Sequence, residues 1–112
     1  MTAQDLPPIR QIAVEELKAM LDAGTPMEFI DVRTPEEVAI ATIPGATLLD
    51  DATLTRLYAL PTDTLLVFHC HHGMRSQDAA QHFRGRGFRN VCNVTGGIDA
   101  WSMLIDDAVP RY

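Results

Sequence analysis

Long apolar runs are missing from this sequence, and none approaches the roughly 20 residues that a membrane-spanning helix needs. Basic residues are also scarce: nine Lys and Arg stand against 15 Asp and Glu, for a formal net charge of −6 at pH 7. This balance argues against a nucleic-acid partner or an anionic membrane surface, because both are bound by basic surfaces. The first residues have neither the basic cluster nor the apolar core of a secretory signal, so we expect a cytoplasmic protein.

Cysteine is scarce as well, with only Cys70 and Cys92 in 112 residues. Two cysteines without a secretory signal favour reduced thiols over a disulfide framework. Cys92 lies within an apolar run and is expected to pack as a small hydrophobic residue rather than to act as a resolving thiol. The length and the ordinary 46% hydrophobic content predict one domain over residues 1–112, with loose termini at 1–8 and 107–112.

Short apolar runs alternate with amphipathic segments along the chain. Strands are predicted around Ile9 to Ile12 and at 27–32, 64–69 and 89–94, and helices at 13–24, 35–38, 52–60 and 76–87. Residues 43–49 are predicted to form a Pro-Gly turn and a short strand, and residues 95–104 a glycine turn that leads into a last helix. Thr34 is predicted as an N-cap with Glu37 completing a capping box. This alternation predicts an α/β sandwich around a mostly parallel sheet, in which ligands bind beyond the carboxyl ends of the strands. Cys70 lies at such an end.

The stretch FHCHHGMRSQDAAQHF, residues 68–83, places Cys70 at the bend between a strand and a helix. A loop that enters a helix directs several backbone N–H groups and the positive end of the helix dipole to one point. A thiol at that point has a lowered pKa and is a better nucleophile at neutral pH. Gly73 allows the backbone to turn inward, and Arg75 adds a charge suited to an oxyanion. The segment therefore predicts an anion-binding loop around a nucleophile.

The number of residues in this loop helps to distinguish phosphate chemistry from the transfer of a single sulfur atom. Four residues lie between Cys70 and Arg75, whereas the loops of cysteine phosphatases have one more and enclose a tetrahedral phosphate. The shorter loop favours a single additional sulfur on the cysteine. A cysteine phosphatase or arsenate-reducing enzyme of the same fold is the first alternative, and a non-catalytic interaction module is the second.

The sequence resembles the rhodanese (thiosulfate sulfurtransferase) domain family, in its short single-domain form, over nearly the whole chain. Four segments carry the resemblance in the family's order: FIDVRTPEE, IPGA, CHHGMRS and VTGGIDAW. Asp31 and Arg33 occupy the first signature, with Glu36 or Glu37 as its following acid. The chain departs from the family at Ala41 and Thr42, where Gly-His is frequent, and at Val38, where an aromatic residue is frequent.

The resemblance implies a three-layer sandwich and a two-step reaction. Cys70 would take the outer sulfur of thiosulfate, or of another sulfane-sulfur donor, as a persulfide. Cyanide, a thiol or a protein acceptor would then remove it, with glutaredoxin- or thioredoxin-like proteins as candidates. No cofactor is expected beyond this covalent intermediate.

The resemblance also implies roles for the residues of the loop. Cys70 is the expected catalytic residue, and the expected substrate-binding residues are His71, His72, Gly73, Met74, Arg75 and Ser76. Ser76 is equally compatible with a helix cap and with a contact to the sulfur. Asp31 and Arg33 would support the loop, or else form a surface ion pair. We expect no metal ion, because His69, His71 and His72 cannot all turn to one ion on a tight loop.

Overall fold

Five parallel strands form the centre of the molecule. The computed structural model describes residues 6–112, so the predicted loose residues 1–5 lie outside the described range. The strands are β1 (Arg10–Ile12), β2 (Glu28–Asp31), β3 (Thr47–Leu48), β4 (Leu65–His69) and β5 (Asn90–Val94). The helices are α1 (Val14–Asp22), α2 (Pro35–Ile40), α3 (Asp51–Tyr58), α4 (Met74–Gly85) and α5 (Gly97–Leu104). The sheet order is β1-β5-β4-β2-β3, with every pairing parallel.

Helices cover both faces of the sheet, which confirms the predicted three-layer α/β sandwich. On one face, Leu17 of α1 and Trp101 of α5 pack in one cluster with Val67 and Cys92. On the other face, Leu57 of α3 and Phe83 of α4 pack in one cluster with Phe68 and Leu66. Neighbouring residues of β4 enter different clusters because successive side chains of a strand point to opposite faces. Burial on both faces explains why β4 is apolar throughout.

The parallel register brings the carboxyl ends of β2 and β4 side by side. Asp31 ends β2 and pairs with His69, which ends β4. Cys70 therefore follows immediately on the edge of the sheet where ligands bind in such folds. Among the helices of residues 6–112, none has both the length and the apolar character needed to cross a bilayer.

A buried ion pair fixes the segment between β2 and α2. The Arg33 guanidinium donates to both carboxylate oxygens of Asp31, at 2.9 and 2.6 Å, and the Arg33 amide donates to one of them at 3.0 Å. Both side chains are almost fully shielded from solvent, so the surface ion pair considered from the sequence is excluded. Arg33 also donates to the carbonyl oxygen of Ala41 at 2.7 Å. The pair thus holds both ends of α2, whose predicted capping box between Thr34 and Glu37 is confirmed.

Arg33→Met is expected to lower the free energy of unfolding by roughly 3–5 kcal/mol, because it leaves the Asp31 carboxylate buried without a counter-charge. Urea denaturation monitored by circular dichroism measures the change. Asp22→Asn is the matched control, since the Lys18–Asp22 pair is exposed and its loss should change stability by less than about 1 kcal/mol. Equal effects of the two substitutions would contradict this assignment.

Candidate active site

Cys70 lies in a short loop between the end of β4 and the start of α4, and its side chain is buried. Gly73 caps α4 with a φ of 108°, a left-handed conformation that favours glycine. A Cβ at this position would also lie 3.3 Å from the carbonyl oxygen of Val94. Because the backbone turns here, the amide of Gly73 donates to the Cys70 Sγ at 3.1 Å.

Several donors converge on the Cys70 sulfur. Burial alone would raise the pKa of this thiol, but hydrogen bonds from the Ser76 hydroxyl and from the amides of Ser76, Gly73 and His72 outweigh it and lower the pKa below its ordinary value. All of these donors belong to the loop or to the first turn of α4. The arrangement stabilises negative charge on the sulfur, as the sequence predicted for the anion-binding loop.

Ser76 contacts the sulfur and does not cap the helix. Of the two roles that the sequence left open for this residue, the structure therefore shows the contact to the sulfur. Its Oγ lies 3.3 Å from the Cys70 Sγ and 2.6 Å from the Oδ1 of Asn93. The hydroxyl has one proton and can donate it to only one of these two acceptors at a time. A charged sulfur is the stronger acceptor, so ionisation of Cys70 favours donation to Sγ.

Asn93 is a part of the site that the sequence reasoning missed. This buried side chain at the end of β5 accepts the hydrogen bond from Ser76 and donates to the carbonyl oxygen of Gly73 at 3.2 Å. It also donates to the side chain of Gln11 at 2.9 Å. The available signal was a polar residue inside the apolar strand NVCNV, since a buried amide needs partners.

The start of α5 holds the other side of the loop. The amide of Ile98 donates to the carbonyl oxygen of Cys70 at 2.9 Å, and the amide of Asp99 donates to that of His71 at 3.1 Å. A Cβ on Gly97 would collide with both carbonyl oxygens, so only glycine permits this approach. The loop carbonyls are thereby occupied by α5, while loop amides serve the sulfur.

Arg75, which we expected to be free to bind an anionic substrate, forms an ion pair with Glu37. Its two terminal nitrogens donate to the two carboxylate oxygens of Glu37, at 2.7 and 2.9 Å, so that the predicted anion ligand already has an anionic partner. This bidentate contact lowers the pKa of Glu37, and contacts with Tyr112 and Thr34 lower it further against the effect of burial. Hydrogen bonding to Glu37 likewise raises the pKa of Arg75.

The C-terminal segment also differs from the expectation of a loose end. Tyr112 donates to a carboxylate oxygen of Glu37 at 2.6 Å and accepts a hydrogen bond from Arg33 at 3.0 Å. Its ring stacks on His71, with centroids 4.0 Å apart and planes 9° apart. Val109 is buried in the core cluster shared with α1 and α5. No pattern in the sequence indicated these contacts.

His69 lies in a different environment from the pair formed by His71 and His72. His69 is buried, and desolvation lowers its pKa to about 4, so the ring is neutral at neutral pH. His71 and His72 stack on each other with centroids 4.0 Å apart, and together with Asp99 they have potential ligand atoms within 4.8 Å of one another. The expectation considered only the three histidines and missed Asp99. The absence of a metal ion stays a prediction.

Met74 lies beside the loop with its side chain 80% exposed. It borders a groove of about 400 Å³, which is lined by Gln11, Gly73, Met74, Gln77, Asp78 and Asn93. The role of Met74 as a substrate-binding residue stays a prediction.

Gly97→Ala is expected to displace the loop carbonyls and weaken the convergence of amides on Cys70. A higher pKa of Cys70 leaves less thiolate at neutral pH, so alkylation should slow several-fold. The rate of iodoacetamide labelling, followed by intact mass spectrometry, tests this. Gly85→Ala is the control, because a Cβ there meets nothing within 4 Å. An unchanged labelling rate in a folded Gly97→Ala variant would contradict the geometry described.

Known proteins with similar sequences and structures contain the same domain. A family model described as "Rhodanese-like domain" matches residues 13–104. Thiosulfate sulfurtransferase GlpE of Pseudomonas entomophila is 37% identical over 82% of this chain and 84% of its own length. The rhodanese-like domain protein of Staphylococcus aureus is 30% identical, covers 93% of this chain and 99% of its own, and superposes with a TM-score of 0.73.

Other relatives are longer. The chloroplastic rhodanese-like/PpiC domain-containing protein 12 of Arabidopsis thaliana is 33% identical over 94% of this chain, which spans only 38% of the plant protein. The family match nevertheless covers most of the chain and all five helices. The chain belongs to the rhodanese-like domain family.

Proposed function

We propose that this protein is a sulfurtransferase that carries sulfane sulfur as a persulfide on Cys70. The hydrogen bonds that converge on Sγ, foremost the 3.1 Å bond from the Gly73 amide, are the observation that carries the proposal. They lower the pKa of the thiol, because these hydrogen-bond donors stabilise negative charge on the sulfur. The relative named thiosulfate sulfurtransferase, which matches over most of its length, supports the same chemistry.

The first step loads the cysteine. The Cys70 thiolate attacks the outer sulfur of thiosulfate, the S–S bond of the donor breaks, and sulfite leaves with the bonding electron pair. A thiolate and a dianion thus yield a persulfide anion and a sulfite dianion, so that atoms and charge balance. The amides of the loop then stabilise the terminal sulfur of the persulfide, as hydrogen bonds to charged groups contribute roughly 1.5–3 kcal/mol each.

The second step unloads the cysteine. Cyanide or an acceptor thiolate attacks the terminal sulfur, and the Cys70 thiolate is the leaving group. A thiol on a protein, such as a glutaredoxin- or thioredoxin-like partner, is our proposed acceptor, because the exposed Met74 and the open groove beside it leave room for a protein surface. No bound cofactor takes part in either step.

Thiosulfate followed by cyanide tests this scheme by intact mass spectrometry. We expect one added sulfur atom that cyanide removes, and none in Cys70→Ser. Arg75→Ala should reduce loading about ten-fold or more, because it leaves the Glu37 carboxylate without its counter-ion beside an anionic donor. Arg56→Ala is the matched control, since Arg56 pairs with Glu28 at the opposite end of β2.

Two outcomes would contradict the proposal. One is an unmodified Cys70 after incubation with thiosulfate and with other sulfane-sulfur donors. The other is rapid hydrolysis of p-nitrophenyl phosphate that depends on Cys70, which would favour the cysteine phosphatase alternative.

A further inference from the structure

The carboxylate of Glu37 accepts hydrogen bonds from three residues and is thereby held next to Arg75. Beyond its two bonds with Arg75, it accepts from the Tyr112 hydroxyl at 2.6 Å and from the Thr34 amide at 3.3 Å. Its side chain is 18% exposed, whereas that of Arg75 is 44% exposed. The acid is therefore fixed in place, and the guanidinium reaches out to it.

Arg33 secures this arrangement from the protein interior. Its Nη1 donates to the Tyr112 hydroxyl at 3.0 Å, and the same buried side chain is anchored by Asp31. The stacking of Tyr112 on His71 connects the network to the loop that contains Cys70. A surface ion pair between flexible side chains would contribute little, but this pair is positioned by Tyr112, whose hydroxyl is held by the buried side chain of Arg33.

The charge of Arg75 beside the Cys70 loop is therefore nearly balanced by that of Glu37. We call the surface around these two side chains the entrance, and it is nearly neutral rather than positive. An oxyanion that approaches Arg75 must share the guanidinium with the Glu37 carboxylate. This carboxylate repels a dianion more strongly than it repels a monoanion. The net charge of −6 on the chain acts in the same direction. A donor with one negative charge, or with none, meets a smaller barrier.

We propose that Glu37, positioned by Tyr112, makes this site select singly charged or neutral sulfane-sulfur donors, such as persulfides and thiosulfonates, over the thiosulfate dianion. The inference rests on the proposed sulfurtransferase function. In the transfer from a thiosulfonate, the Cys70 thiolate attacks the outer sulfur, the donor S–S bond breaks, and a sulfinate leaves with the electron pair. A thiolate and a monoanion give a persulfide anion and a sulfinate monoanion, so the step balances.

Thiosulfate and benzenethiosulfonate form a matched pair of probes, since both present an outer sulfur on an oxidised sulfur atom and differ by one charge. Glu37→Gln removes the negative charge and keeps the capping box, in which glutamine serves as well as glutamate. We expect the kcat/KM for thiosulfate to rise about five-fold relative to that for benzenethiosulfonate, with the change mainly in KM, because the loss of the carboxylate charge relieves more repulsion of a dianion than of a monoanion. Tyr112→Phe should shift the ratio in the same direction by less, because it loosens the acid but keeps the stacked ring.

Glu36→Gln is the control, since it makes the same charge change on the neighbouring, exposed position of α2. The donor ratio should stay unchanged in this variant. An unchanged ratio in Glu37→Gln, an equal shift in Glu36→Gln, or an equal loss with both donors in Glu37→Gln would overturn the inference. If the unsubstituted protein accepts sulfur from neither donor, the sulfurtransferase function itself fails instead.

Discussion

The geometry of the whole site depends on backbone amides that point at one sulfur atom. This arrangement requires the loop carbonyls to point away from the sulfur. The carbonyls of Cys70 and His71 instead accept hydrogen bonds from amides at the start of α5. It also requires glycine at two positions, since Gly73 turns the chain into α4 and Gly97 lets α5 approach the loop. The parallel sheet supplies the frame, because the ends of β4 and β5 bring Cys70 and Asn93 to one edge.

A series of hydrogen bonds that begins in the core reaches Arg75, beside the loop that contains this sulfur. The buried Asp31–Arg33 pair positions Tyr112, Tyr112 positions Glu37, and Glu37 holds Arg75 beside the loop. Each contact in this series is a charged or charge-assisted hydrogen bond, and these are the stronger kind. An arginine that looks like a free anion ligand in the sequence is therefore only one half of a balanced pair.

The sequence was sufficient for features with local causes. The capping box at Thr34 and the buried strand before Cys70 follow from spacing over a few residues, and the structure contains both. Contacts between distant residues could not be predicted in this way. Glu37 lies 38 positions from Arg75 and 75 from Tyr112, and no local pattern encodes such a meeting. Asn93 is intermediate, because its polarity within an apolar strand indicates a need for partners but not which partners it has.

A pH titration of thiolate ultraviolet absorbance tests the central claim most directly. The absorbance of the protein minus that of its Cys70→Ser variant isolates the ionisation of Cys70. The account predicts a midpoint below the ordinary pKa of an exposed cysteine, and a higher midpoint in Ser76→Ala, which lacks one of the donors to the sulfur. A midpoint at or above the ordinary value, unchanged by Ser76→Ala, would contradict the claim that these donors stabilise a thiolate.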